Sequence, residues 1–242
     1  MELNTYEKIY LHIGIFCGHS PNFLGTEFLL NKSKIKKEDV RNLSYRGEGW
    51  PGMMNIELKN GNKKSIKYGE YWNTGFGLYF FPNRCTLCCD GVCELADVSF
   101  GDAWLPELRK DETTGKSVII SKTKIGDEIL QKCHTKNKIE LNKITAEKVI
   151  ESQRAMLNFK KRSFQTRVSI FNLFNKMVPS YTSKLLKPSV SGYLNAVSFY
   201  FWLWISSKHL WRLLDAYNLL KKVRNSPLRL AGYYLRKLGL KK

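Results

Sequence analysis

The chain has 242 residues, a formal net charge of +19, six cysteines and 43% hydrophobic residues. This length fits one substantial domain, or a domain with an appendage, whose core does not need a metal in order to fold. The start lacks a secretory pattern, and vicinal cysteines in a lysine-rich chain disfavour a secreted disulfide framework. The charge is uneven: residues 1–150 carry 22 basic and 19 acidic side chains, and residues 151–242 carry 18 and 2. Two physically different segments, 1–150 and 151–242, therefore meet near Ile150.

Ile9 to Phe16 suits a strand, with Ile13-Gly-Ile-Phe16 reading as its buried end, and Phe23 to Asn31 suits a short helix. Met53 to Leu58 and Lys63 to Tyr68 form a hairpin across Asn60-Gly61, because that dipeptide accepts the positive φ of a tight turn. Val98 to Phe100 and Val118 to Ser121 are further strands, Gly126 to Cys133 a helix, and Ile139 to Leu141 a brief strand. The Thr145 hydroxyl caps an amphipathic helix that runs on to Lys161. The pattern is α+β: mixed strands and helices around a cysteine-rich loop, followed by a basic all-helical C-terminal appendage.

Cys85, Cys88, Cys89 and Cys93 fall within nine residues. Soft thiolates at that spacing suit an iron-sulfur cluster or zinc, and spacing alone does not choose between them. Cys17 joins them as a thiol ending the first strand, before the turn at Gly18-His-Ser-Pro21. Cys88 and Cys89 point apart as neighbours in an extended stretch. Cys133 reads as a core residue.

Glycine and aromatic residues gather at Tyr45-Arg-Gly-Glu-Gly-Trp-Pro-Gly52 and again at Gly101-Asp-Ala-Trp104. Arg46, Gly47, Gly49, Gly101 and Asp102 are candidate cofactor-binding residues, since such a turn brings backbone close to a flat or anionic ligand and Arg46 offers a bidentate fork. An ordinary strand connection with a surface arginine is the plainer reading of the same residues. There is no phosphate loop, dinucleotide fingerprint or serine nucleophile elbow, and no histidine or aspartate is placed as a catalytic base.

Phe16-Cys-Gly-His19, Tyr45 to Gly52, Arg84-Cys-Thr-Leu-Cys88, Asp90, Leu95 to Asp102 and Gly115-Lys-Ser-Val118 together resemble the C-terminal domain of the coenzyme F-420 hydrogenase/dehydrogenase beta-subunit family, over roughly residues 9 to 150. The resemblance implies a [4Fe-4S] cluster, FAD and a deazaflavin coenzyme, and an iron-sulfur, flavin-linked oxidoreductase subunit that transfers electrons. It also implies a link to polysaccharide biosynthesis. It carries Cys17, Cys85 and Cys88 over as cluster ligands. The family's upstream flavin-binding segment has no counterpart here, so the expectation is a shortened member that needs a partner or separate N-terminal subunit, with Cys93 as fourth ligand. The alternative is a zinc-binding or cluster-free scaffold that binds partners at a membrane surface.

The tail adds an apolar run, Tyr193 to Ile205, too short to span a bilayer of ~30 Å. Trp211, Leu213, Leu214, Tyr217 and Leu220, mixed with Arg212, Lys221, Lys222 and Arg224, extend it as a basic amphipathic helix, and Leu228 to Leu240 repeats the pattern. The expectation is a cytoplasmic protein, peripheral at the inner face of an anionic membrane, without a specific nucleic-acid partner.

Overall fold

Short strands set the architecture. The computed structural model describes residues 8–108, 112–181 and 190–218. Its strands are β1 (Ile13–Ile15), β2 (Val40–Gly47), β3 (Met53–Leu58), β4 (Lys63–Lys67), β5 (Val98–Asp102) and β6 (Ser117–Ser121). The helices are α1 (Phe23–Lys32), the single turns α2 (Tyr68–Tyr71), α3 (Gly77–Tyr79) and α4 (Asn83–Thr86), then α5 (Lys124–Thr135), α6 (Ala146–Ser152), α7 (Arg154–Leu157), α8 (Phe164–Leu173) and α9 (Val190–Ser207). This is the mixed α and β fold expected, with a cysteine loop at residues 85–93; among the described residues after Ala146 there are helices and no strand. The expected continuation through Lys221, Lys222, Arg224 and Leu228 to Leu240 lies outside the described residues.

The chain divides into two units, each built from separated segments. The first comprises Met1–Ser20, Arg46–Gly52 and Pro82–Ala196. Its sheet has the order β1-β5-β6, with β1 parallel to β5 (Ile13↔Val98, Ile15↔Phe100) and β5 antiparallel to β6 (Val98↔Ser121, Asp102↔Ser117). Val98 and Val118 are buried, while β1 departs from its expected buried character. Only Gly14 faces inward there, and alternation places Ile13 and Ile15 together on the outer face.

Asp97 fastens this sheet to α5. Its carboxylate accepts from the His12 backbone N–H at 2.8 Å and from the Thr123 hydroxyl at 2.7 Å, and these bonds hold it below the usual carboxylate range. Thr123 is also the α5 cap, accepting from the Gly126 N–H at 3.3 Å. The helix ends with Asn137 at φ 52° and a Lys138 N–H bond to the Cys133 carbonyl. Ile139 to Leu141, expected as a strand, is irregular.

Thr145 caps α6 as expected, accepting from the Lys148 N–H at 3.4 Å. The single helix expected to reach Lys161 is instead interrupted at Gln153 (φ −110°, ψ 14°) and passes through α7 into a π-turn at Asn158–Arg162. In α8, Phe164, Val168 and Ile170 are buried together with Arg167. That guanidinium donates to the Thr86 carbonyl (2.9 Å), the Ser163 hydroxyl (2.6 Å) and the Phe159 carbonyl (2.7 Å), which offsets its lost hydration.

The second unit comprises Pro21–Tyr45, Met53–Phe81 and Val197–Lys242. Its sheet has the order β2-β3-β4. Asn60-Gly61 closes the β3–β4 hairpin, with Gly61 at φ 86° and Met53↔Lys67 to Glu57↔Lys63 in register. Met54 and Ile56 alternate inward onto Phe28, Leu29, Tyr71, Phe76 and Phe80, and Leu214 closes the same core. Within this unit the later chain is tied down by polar contacts: the Ser206 hydroxyl bonds the Tyr79 carbonyl, and the Asn218 amide donates to the Thr74 carbonyl at 2.7 Å. Burial pushes the Tyr79 phenol up to about 12.

Candidate functional site

Of the five turn residues singled out from sequence, Arg46 and Asp102 are in direct contact in the first unit. Asp102 ends β5, and its carboxylate accepts from the Arg46 guanidinium at 2.9 Å and from the Trp50 indole N–H at 3.3 Å. Arg46 also lies over the Trp104 ring, 5.4 Å from its centroid, and Trp50 and Trp104 sit 5.0 Å apart. The Asp102 carbonyl takes a 2.7 Å bond from the Gln153 side-chain amide. The helix interruption at Gln153 thus has a local counterpart: the amide that leaves the helical path reaches the end of β5.

The loop from Arg46 to Gly52 needs unusual backbone. Arg46 and Glu48 have φ near 60° (62° and 61°), Gly49 and Gly52 have 88° and 86°, and Trp50-Pro51 is cis. A Cβ on Gly49 would lie 2.8 Å from the Thr113 carbonyl oxygen, and one on Gly101 would lie 2.2 Å from the Phe16 ring. These glycines are close approaches within the chain. Glu112 fixes the facing turn by accepting from the Thr114 and Gly115 N–H groups, both at 2.9 Å, and its carboxyl is held low as a result.

The cysteine loop lies in the same unit. Cys85 is on α4; Cys88 donates its thiol to the Asp90 carbonyl at 3.3 Å, and the Asp90 carboxylate accepts from the Val92 and Glu94 N–H groups. The Cys17 N–H bonds the Gly91 carbonyl at 2.9 Å, so the end of β1 is joined to this loop. Burial raises the Cys17 thiol, the Lys160 charge opposes this, and Cys85, Cys88 and Asp90 add to the rise. Cys17, Cys85 and Cys88 are therefore electrostatic neighbours, whereas the expectation was that they ligate one centre. The buried Lys160 was not foreseen. It also disfavours protonation of His19, which burial and that charge together bring down to about 4.

Neighbourhood is not ligation. Among the described residues, no group of three or more His, Cys, Asp or Glu side chains is arranged to hold a metal ion. The expected [4Fe-4S] centre on Cys17, Cys85, Cys88 and Cys93 is overturned by that arrangement, which fits zinc no better. Cys93, with φ 54°, packs instead on β1: a Cβ on Gly14 would lie 2.4 Å from its Cβ and 2.5 Å from its sulfur. The reading as an iron-sulfur, flavin-linked electron carrier with FAD and a deazaflavin coenzyme falls too, because the one-electron site it rested on is not assembled.

Among the described residues, no helix is long and apolar enough to cross a membrane. A comparison with curated proteins found no match. The sequence model for the C terminus of the coenzyme F420 hydrogenase/dehydrogenase beta subunit matches residues 1–147, which is more than half of the chain. The matched stretch contains β1 to β6, the cysteine loop and the Arg46–Asp102 turn. The chain therefore belongs to the family of C-terminal domains of coenzyme F420 hydrogenase/dehydrogenase beta subunits.

Proposed function

We propose that this chain serves as a cluster-free partner-binding protein built on a domain of an enzyme-associated family. The observation that supports this reading best is the use of Cys93 as a packing residue on Gly14 in a loop without a metal-holding group. A thiol committed to the backbone of β1 gives the sheet a fixed edge and leaves the loop as a structural brace.

The partner surface in this reading is β1, an edge strand whose Ile13 and Ile15 are 65% and 74% exposed. An extended segment of a protein partner laid along it gains backbone hydrogen bonds, and the two isoleucines supply apolar contacts on one face. Such a partner would also be the source of any chemistry the assembled protein performs. The reading further locates the chain peripherally at a membrane.

Metal analysis of the chain purified under anaerobic conditions tests the cluster-free assignment. Iron and zinc far below one atom per chain are expected. Either metal at one or more per chain, lost in Cys17→Ser and Cys88→Ser proteins, overturns it.

A further inference from the structure

One face of α9 is apolar and open to solvent. Val197, Phe201 and Trp204 are 59%, 51% and 52% exposed. At about 100° per residue these positions and Lys208, one turn beyond, fall within roughly 60° of the helix circumference. Ser206 lies on the opposite side and is buried, so the second half of α9 has a packed side and a bare side.

Cations follow the bare side in sequence. Lys208 and Arg212 are exposed, and Leu210 and Leu213 beside them are 41% and 52% exposed. Residues 190–242 hold ten basic side chains and one acidic one, Asp215, which is already paired with Lys32. An apolar, aromatic stripe followed in sequence by a strongly positive segment suits an anionic lipid surface: the rings enter the boundary between headgroups and acyl chains, and the ammonium and guanidinium groups of Lys208 and Arg212 stay at the phosphates. A protein groove would accept the apolar stripe but gives no reason for this excess of positive charge.

We infer that the Val197–Phe201–Trp204 face of α9, with Lys208 and Arg212, is a docking surface for anionic phospholipid. The inference rests on the membrane-peripheral part of the function proposed above and names its partner. Docking of this kind lays α9 in the interface plane rather than across the bilayer, in keeping with the absence of a spanning helix among the described residues.

The test is flotation of the full chain with vesicles of phosphatidylcholine alone or mixed with phosphatidylserine, at low and high salt. Binding to the mixed vesicles is expected, with at least a tenfold weaker partition onto phosphatidylcholine alone. Phe201→Ser with Trp204→Ser should lose most of the binding at every salt concentration. Lys208→Glu with Arg212→Glu should weaken it several-fold, and more at low salt, because exposed charges are screened within ~8 Å at physiological ionic strength. All substituted side chains are exposed, and unchanged thermal unfolding confirms that the variants fold.

Equal binding to both vesicle types, binding untouched by the Phe201 and Trp204 changes, or no flotation at low salt each overturns the inference. Concentration-dependent self-association abolished by the same two changes would do so as well, by making the stripe an interface between copies. Metal content is measured on the same samples, so a failure of the cluster-free assignment is read separately from a failure of lipid docking.

Discussion

Asp102, the last residue of β5, grips Arg46 through a 2.9 Å ion pair even though Arg46 stands in the left-handed region at φ 62°. The same carboxylate takes the Trp50 indole, so one side chain secures both ends of the glycine-rich turn. Both members of the pair are about one-third exposed (34% each), so solvent screening limits the pair itself to about 1 kcal/mol. Asp102→Ala removes the acceptor of two donors and should cost about 1–2 kcal/mol in urea unfolding, with a shift of tryptophan emission. Asp102→Asn keeps a carbonyl oxygen for one donor and should cost less. An Asp102→Ala protein as stable as the parent would count against the carboxylate as keystone.

Gly101 makes the second contact that fixes this end of the sheet. A Cβ there would lie 2.2 Å from the Phe16 ring edge and 2.6 Å from the Phe16 Cβ. Rotating the ring cannot relieve the second contact, and the Phe16 backbone is itself bonded to the Phe100 carbonyl. Gly101→Ala should therefore destabilise by about 1–3 kcal/mol, and Phe16→Ala should fail to rescue it. A double variant as stable as Phe16→Ala alone would place the conflict in the ring only.

Gly14 and Cys93 form a separable pair. Gly14→Ala should be destabilising because its Cβ would meet that of Cys93 at 2.4 Å. Cys93→Gly removes that atom and suits the φ of 54°. The double variant should recover at least about 1 kcal/mol relative to additivity, as expected of side chains in direct contact. Additive costs in a double-mutant cycle would contradict the packing role.

His19 should leave a signature in the pH dependence of stability. Its folded value is about 4 against an ordinary 6.5, so between these values the unfolded chain binds the extra proton and the folded chain does not. Stability contributed by the neutral ring is present above the unfolded value and is lost as pH falls from about 6.5 to about 4, by up to about 3 kcal/mol. His19→Gln should flatten that part of the profile. A wild-type slope retained in the variant would assign it to other groups.

What was legible in the sequence had local causes. Asn60-Gly61 specifies its hairpin by backbone preference, and Thr145 specifies a helix start by a hydroxyl within reach of its own first turn. Arg46, Gly47, Gly49, Gly101 and Asp102 were legible only as two separate turns of like composition. That their glycines answer to Thr113 and Phe16 was not, since those contacts join distant parts of the chain.

The misread features depend on tertiary direction. β2 went unread because Val40-Arg-Asn-Leu-Ser-Tyr45 is mostly polar, and its strand character comes from pairing beside β3. Gln153 looks like an ordinary helical residue until Asp102 supplies an acceptor for its amide. The expected ligation by Cys17, Cys85, Cys88 and Cys93 failed because cysteine spacing holds no information on where a thiol points, and Cys93 turns to β1.

The most direct measurement is anaerobic reconstitution of the full chain with ferrous iron and sulfide, followed by desalting, iron and sulfide analysis and visible spectroscopy. A cysteine loop that braces β1 predicts a colourless protein with iron well below one atom per chain, and a spectrum unaffected by Cys93→Ser. A brown protein with broad absorbance near ~400 nm and about four irons per chain, lost on changing Cys17, Cys85 or Cys88 to serine, would contradict the account.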